Sequence, residues 1–220
     1  MEAVYGFSNR RDGDMHENEN LARFLESLGV GGMPFVRAEQ VRGGEVARVG
    51  LEHAGQVVSG VDGLITARRG LFLAVLAADC IPALIYDRRR DFVAAAHLGW
   101  RGLSMALGRR VVEQLEQLGS VASDIVAIFG PSICVRHYEV KEDLVSQFVG
   151  QPEAVFLKEG EKTFMDLRAT ARNQFIGAGV PESNIDVDPT CTFEDSYYFS
   201  WRREQPGLSG SFAGVIGITS

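Results

Sequence analysis

Two apolar runs in the middle of the chain constrain its fold more than any other part of the sequence. The run "GLFLAVLAA" ends just before Asp79 and Cys80, and the run "FVAAA" ends just before His97. Continuous apolar runs of this length are typical of strands that are buried on both faces of a sheet. We therefore predict two buried strands, with Cys80 and His97 emerging together where neighbouring strands end. Active sites are often found at such places.

The rest of the chain alternates strand-like and helical patterns, but without the regular spacing of βαβ units. One helix is predicted from near His16 to Gly29, and another is predicted from Asp166 toward Gly177. The clearest helical stripe consists of Leu103, Leu107, Val111, Leu115 and Leu118. The stretch "YYFSWRR" resembles an aromatic strand with Arg202 at its end. These patterns favour an α+β layered sandwich, and no linker divides it, so residues 1–220 are expected to form one domain.

Composition excludes several classes of partner. The chain has 220 residues, of which 45% are hydrophobic and 23% are charged, and its net charge is −7. An acidic chain without a lysine- or arginine-rich run that has interleaved aromatic residues is not expected to bind nucleic acid. Neither a membrane span nor a signal peptide is recognisable, so we expect no membrane partner and a cytoplasmic location. Three separated cysteines without a CxxC pair predict free thiols, with a packing role for Cys191.

Cys80 and His97 have neighbours that suit chemistry. Taken alone, Cys80 fits a small buried residue and His97 fits a core imidazole. Asp79 precedes the cysteine, however, and Arg101 follows the histidine in "GWRG". An acid, a thiol, an imidazole and a guanidinium thus come together, and this combination suits an anionic ligand. Thiolate and imidazole are also zinc ligands, but a catalytic zinc usually takes three protein ligands and a water.

The motifs "LAADCIPALIYD" and "AAAHLGWRGL" resemble the signature of the laccase-domain proteins. These are single-domain zinc enzymes, also called polyphenol oxidases and assigned as purine nucleoside phosphorylases with adenosine deaminase activity. Further stretches match the family pattern in the right order: "EQVRGGEV", "VDGLIT", "GPSICVRHYEV", "DLRATARNQ", "DPTCT" and "YYFSWRR". The resemblance implies a four-layer αββα fold, which is also seen in catalytic domains of bacterial cytotoxic factors that use a Cys-His pair.

The resemblance also shows where this chain departs from the family. The three zinc-ligand positions of the family fall on Arg42, Cys80 and His97. An arginine side chain has five donors and no lone pair, so it cannot bind a cation. His53 is a weak substitute, and His16 and His137 are weaker. Zinc is therefore expected to be weakly bound or absent. Copper is not expected, because one blue-copper centre would already use two of the four histidines.

The family activity implies a purine nucleoside and phosphate as small-molecule partners. On this interpretation Cys80, His97 and Arg101 are the catalytic residues. Gln40, Arg42, Asp79 and Arg202 are expected at the substrate, because a guanidinium fork matches phosphate oxygens. Adenosine deamination would need a metal-activated water, so the loss of a ligand threatens it most.

Two other interpretations stay open. A metal-free hydrolase or acyl-transfer enzyme would use Cys80 as the nucleophile and His97 as the base. Asp79 or another polar group would then orient the imidazole. The chain could also be a non-catalytic descendant that binds a nucleoside or a protein. Metal content and phosphate dependence distinguish these interpretations.

Overall fold

Two β-sheets face each other in the centre of the molecule, and helices cover their outer faces. The structure is a computed structural model that describes residues 3–219. Within these residues the strands are β1 (Ala3–Phe7), β2 (Phe35–Ala38), β3 (Val46–Arg48), β4 (Val57–Val58), β5 (Gly63–Thr66), β6 (Phe72–Ala77), β7 (Ile81–Asp87), β8 (Val93–Leu98), β9 (Ile125–Phe129), β10 (Glu139–Val140), β11 (Phe156–Glu159), β12 (Lys162–Met165), β13 (Ile185–Val187) and β14 (Phe212–Ile218). The α-helices of the same residues are α1 (Asn18–Ser27), α2 (Trp100–Ser104), α3 (Leu107–Gln117), α4 (Glu142–Val145), α5 (Leu167–Gly177) and α6 (Trp201–Glu204).

The strands form two large sheets and one small sheet. The first large sheet has the order β1-β14-β6-β2-β4, and the second has the order β13-β9-β7-β8-β5-β3. The small sheet, β10-β12-β11, was not predicted from the sequence. Helix α1 packs on the outer face of the first sheet, and α3 and α5 pack on the outer face of the second. The predicted four-layer αββα architecture is therefore confirmed.

Strand β6 shows why the apolar runs are continuous. Its Phe72 and Ala74 side chains pack with α1, whereas the alternating Leu73 and Val75 side chains pack between the two sheets. Successive side chains of a strand point to opposite faces, so a strand covered on both faces needs apolar residues at every position. Each fully buried Leu or Val stabilises the fold by about 1.5–3 kcal/mol.

Two local predictions are wrong. The predicted helix from Leu103 to Leu118 is broken, because Ala106 adopts a left-handed backbone conformation with φ 58° between α2 and α3. Nothing in the local sequence marks this break. The stretch "YYFSWRR" is a turn followed by α6, not a strand. Its helix begins there because the Ser200 side chain accepts a hydrogen bond from the backbone N–H of Arg203.

Among the helices of residues 3–219, none is both long and apolar enough to cross a membrane.

Candidate functional site

Cys80 and His97 converge, as the sequence predicted. Cys80 immediately precedes β7, and His97 lies on β8 opposite Pro82 of β7. Both side chains border Gly99: a side-chain carbon there would lie 3.6 Å from His97 Cε1 and only 2.9 Å from Cys80 Sγ, so only glycine leaves the thiol in place. The apolar runs before the two residues belong to different sheets, however, because the chain crosses from β6 in the first sheet to β7 in the second.

Asp62 holds the imidazole of His97 in place. His97 Nδ1 donates to Asp62 Oδ1 at 3.1 Å, and the backbone N–H of His97 donates to the Asp62 carbonyl at 2.8 Å. The Asp62 carboxylate also accepts the backbone N–H groups of Arg42 at 3.1 Å and Gly43 at 2.6 Å. The carboxylate thus fixes the ring orientation and leaves Nε2 as the nitrogen available for chemistry.

The surroundings of His97 favour its charged form. Burial alone would lower the pKa of His97, but the Cys80 sulfur and the hydrogen bond to Asp62 outweigh burial and raise the pKa to about 9. The side chain is 10% exposed, and the Asp62 side chain is 1% exposed. A buried imidazole, a buried carboxylate and a partly exposed thiol therefore interact electrostatically.

Asp79 and Gln40 support the site through backbone contacts. Asp79 has φ 93°, and its carboxylate accepts from Thr192 Oγ1 and from the backbone N–H of Arg202, both at 2.6 Å. It therefore anchors the segment that carries Arg202 and does not orient His97, a role that belongs to Asp62. The Gln40 amide exchanges two hydrogen bonds of 2.7 Å with the backbone of Leu76. This contact fixes the loop before Arg42.

Tyr138 is the centre of a group of polar side chains near Cys80. Arg202 Cζ lies 5.1 Å from the Tyr138 ring centroid, and Arg101 Cζ lies 4.4 Å from the Trp100 ring centroid. Burial raises the pKa of Tyr138 above its usual range, and the Cys80 sulfur adds to this effect while Arg202 and Arg101 oppose it. The Tyr138 hydroxyl is thus within electrostatic range of the Cys80 thiol and of both guanidinium groups.

The Arg42 side chain is exposed, in contrast to its backbone. Its backbone N–H binds Asp62, and the residue has φ 61°. Among residues 3–219, no acid forms a hydrogen bond or ion pair with its guanidinium. The backbone of Arg42 therefore lies next to the Asp62–His97 pair, whereas its side chain is exposed.

The residues at the family zinc position do not fit a catalytic zinc ion. His97 Nε2 and Cys80 Sγ are two suitable donors, but Arg42 has no lone pair to supply the third. His53 does not replace it, because His53 Nδ1 accepts from the backbone N–H of Gly50 at 3.2 Å and lies 3.3 Å from Glu52 Oε1. His16 pairs with Asp14 at 2.8 Å on the surface.

A second group of metal-binding side chains was missed by the sequence analysis. Cys134, His137, Cys191 and Glu194 have potential ligand atoms that all lie within 4.8 Å of one another. Burial raises the pKa of the Cys134 thiol, and the neighbouring Cys191 adds to this effect. Cys191 is buried, and its sulfur contacts the His137 ring and the backbone of Cys134. Matching spacings, Cys-x-x-His from Cys134 and Cys-x-x-Glu from Cys191, were the signal in the sequence.

One surface cavity lies away from both groups. It has a volume of about 550 Å³ and is lined by residues at the start of α3 and around Gln151, including Arg109 and Glu153. None of the predicted site residues lines it. Reactive groups converge at Cys80 and His97, whereas this cavity has an open, water-facing form.

The chain belongs to the family described as multi-copper polyphenol oxidoreductase laccase, whose model matches residues 5–219. It is 38% identical to a purine nucleoside phosphorylase of Deinococcus radiodurans, over 98% of this chain and 83% of the relative. It is 35% identical to a purine nucleoside phosphorylase of Corynebacterium glutamicum, over 90% of this chain and 79% of the relative. A protein named adenosine deaminase, from an unknown prokaryotic organism, is 34% identical over 72% of this chain and 63% of the relative.

Solved structures share the fold. YlmD from Geobacillus stearothermophilus superposes with a TM-score of 0.91 at 27% identity, over 99% of this chain and 92% of that chain. The hypothetical protein YfiH of Bacillus licheniformis superposes with a TM-score of 0.89 at 26% identity, over 98% of this chain and 92% of that chain. The resemblance found in the sequence is therefore confirmed at the level of family and fold.

Proposed function

We propose that this protein is a purine nucleoside phosphorylase that transfers the ribosyl group of inosine or adenosine to phosphate. The observation that carries the proposal is the 38% identity, over 98% of the chain, to a relative named purine nucleoside phosphorylase. A thiol beside an oriented imidazole, with Tyr138 within electrostatic range of Cys80, Arg101 and Arg202, supports the same activity.

The reaction exchanges one bond at the sugar for another. A phosphate oxygen attacks C1′ of the ribose, and the bond from C1′ to the purine nitrogen breaks with its electron pair going to the purine. The products are ribose 1-phosphate and the free base after the base takes up a proton. Catalysis requires that the anion is held in line with C1′ and that the negative charge on the leaving base is neutralised.

The residues of the site suit these two tasks. Arg101 and Arg202 would hold the phosphate, because guanidinium groups pair with its oxygens through two hydrogen bonds at once. Arg42 is a further candidate, since its exposed guanidinium can swing toward a bound anion. His97, which Asp62 orients, would supply the proton to the departing purine. The neighbouring Cys80 sulfur favours the protonated form of this imidazole. Asp79 and Gln40 act as positioning residues.

No step of this proposal passes through a metal ion. Deamination of adenosine by an activated water would need a complete zinc site, and the family position here has only two donors. We therefore propose phosphorolysis as the main activity and deamination as minor.

The Cys80, His97 and Asp62 geometry also favours a second candidate. A thiol beside an imidazole that is held by a buried carboxylate is the arrangement of cysteine hydrolases and acyl-transfer enzymes. In that case the sulfur attacks the substrate and no phosphate is consumed.

Phosphate dependence distinguishes the two candidates. Purified protein is incubated with inosine and with adenosine, with and without phosphate, and the sugar products are separated. We expect ribose 1-phosphate and free base, formed only when phosphate is present. Equal rates with and without phosphate, with free ribose as the product, would overturn phosphorolysis.

A further inference from the structure

Four potential ligand atoms converge on a second site, away from Cys80 and His97. Cys134 Sγ lies 3.2 Å from His137 Nδ1, and Cys191 Sγ lies 3.7 Å from the same nitrogen. Glu194 Oε1 lies 3.5 Å from His137 Nδ1. Two thiols, an imidazole nitrogen and a carboxylate oxygen therefore surround a common centre.

These spacings fit the coordination sphere of a zinc ion. Zinc–sulfur bonds of about 2.3 Å and zinc–nitrogen bonds of about 2.0 Å, in a tetrahedron, place neighbouring ligand atoms roughly 3.3–3.8 Å apart. The three separations from His137 Nδ1, 3.2, 3.7 and 3.5 Å, are close to that range. The other ligand atoms lie within 4.8 Å of one another, so shifts of about 1 Å or less would complete the tetrahedron.

Backbone contacts hold the two halves of this site together without a metal. Ser132 and Cys191 form an isolated parallel β-bridge, and the backbone N–H of Cys134 donates to Cys191 Sγ at 3.3 Å. The His137 ring stacks on the Phe193 ring, with centroids 4.5 Å apart and an angle of 19° between the planes. The donors are therefore positioned before any ion binds, which lowers the entropy cost of binding.

We propose that Cys134, His137, Cys191 and Glu194 bind one Zn²⁺ ion. Two thiolates and an imidazole select zinc over hard cations such as Mg²⁺ and Ca²⁺, which prefer oxygen ligands. The set contains four protein ligands, and such closed sites have structural roles. Glu194 Oε1 also accepts from Arg136 Nη2 at 3.2 Å, and the carboxylate has a second oxygen with which to satisfy both partners.

The position of the ion gives it a role at the nucleoside site. The His137 carbonyl accepts from Arg202 Nη1 at 3.2 Å, and Tyr138 is the next residue in the chain. A zinc ion on His137 would therefore fix the turn that supports both Arg202 and Tyr138. This inference about binding does not depend on the proposed phosphorolysis.

The test compares zinc content among matched cysteine variants. The protein is purified in a reducing buffer, dialysed against micromolar zinc and then against buffer without zinc, and analysed by plasma mass spectrometry. We expect about one zinc per chain, with the same amount in Cys80→Ser and almost none in Cys134→Ser or Cys191→Ser. Zinc that is lost in Cys80→Ser and kept in the other two variants would overturn the proposal. A parent protein that binds no zinc would also overturn it.

A milder variant and a spectroscopic measurement distinguish loss of the zinc site from misfolding of the protein. Glu194→Gln removes only the exposed ligand, so it should fold and bind zinc more weakly, by about 10-fold or more. Cobalt(II) that replaces zinc should give the near-ultraviolet charge-transfer band of thiolate ligands. This band should be present in Cys80→Ser. Its persistence at full strength in folded Cys134→Ser and Cys191→Ser would contradict the assignment.

Discussion

The molecule has two groups that combine cysteine and histidine, and they differ in what surrounds the sulfur. Around Cys80, a buried carboxylate occupies Nδ1 of His97, and the third donor position of the family holds an arginine. Around Cys134 and Cys191, a second thiol and the Glu194 carboxylate complete a set of four donors. The first group is incomplete as a metal site but oriented for proton transfer, whereas the second is complete as a metal site.

The comparison teaches that a cysteine and a histidine in contact do not define a function by themselves. Asp62 fixes the imidazole of His97 through Nδ1 and leaves a single nitrogen for substrate. In the second group, His137 Nδ1 itself faces both sulfur atoms, so the same nitrogen is the one that would bind an ion. The number and kind of the other donor atoms around the pair decide between reactivity and metal binding.

The largest effect on activity is expected when Cys80 or His97 is replaced. His97→Asn should reduce phosphate-dependent cleavage of inosine by about 10²–10⁴-fold, because a proton-transfer group typically contributes that much. Cys80→Ser should also reduce the rate, because the sulfur favours the protonated imidazole. Rates are measured from the release of hypoxanthine. His53→Asn is the matched control, because His53 contacts Gly50 and Glu52 and should leave the rate unchanged. Full activity in His97→Asn would show that the chemistry lies elsewhere.

A smaller loss is expected when only the orientation of the imidazole is disturbed. Asp62→Asn keeps the size of the side chain but removes the charged acceptor of His97, and we expect kcat to fall by about 10–100-fold. The KM for inosine should change little, because Asp62 does not reach the substrate side of the ring. Thermal unfolding of the same sample separates a positioning role from a structural one. A fall in stability with unchanged kcat in the folded fraction would contradict the positioning role.

A still smaller effect is expected at the anion-binding arginines. Arg101→Ala should raise the KM for phosphate by about tenfold, since a hydrogen bond to a charged group contributes about 1.5–3 kcal/mol. Arg101 stacks on Trp100 at the surface, so stability should be nearly unchanged. Arg110→Ala is the matched control, because Arg110 pairs with Glu45 instead. An unchanged KM for phosphate would remove Arg101 from the site.

Local patterns predicted an α+β layered sandwich and the meeting of Cys80 and His97, and the family resemblance implied the four-layer αββα arrangement. The apolar runs before Cys80 and His97 indicated the buried strands, and their ends located the two side chains. Asp62 was missed, although its motif had been noted. Its role depends on β5 pairing with β8, where Gly63 lies opposite Ala96. Such a register cannot be deduced from one strand alone.

The second cysteine group was missed because its halves are far apart in the chain. Cys134 and Cys191 are separated by 57 positions and are brought together by tertiary contacts, among them the bridge between Ser132 and Cys191. The spacing of Cys134 and His137 was visible in the sequence, as was that of Cys191 and Glu194. Each half offers only two donors, however, which is too few to indicate a site without the tertiary contact.

The final prediction adds to the Cys80 and His97 group the third zinc donor that it lacks. Arg42→His should supply the missing donor beside Cys80 and His97, and the left-handed backbone at position 42 is one that histidine tolerates. In a Cys134→Ser, Cys191→Ser background, zinc content should rise from near zero to about one ion per chain. The rate of adenosine deamination should rise with the zinc content, because an activated water requires the metal. This rise should be a smaller fold-change than the losses of activity predicted for the variants above.

Arg42→Asn is the control, since it removes the charge without adding a usual zinc ligand. If Arg42→Asn gains as much zinc as Arg42→His, or if the unmodified background already holds tightly bound zinc, the missing third ligand is not what limits metal binding here.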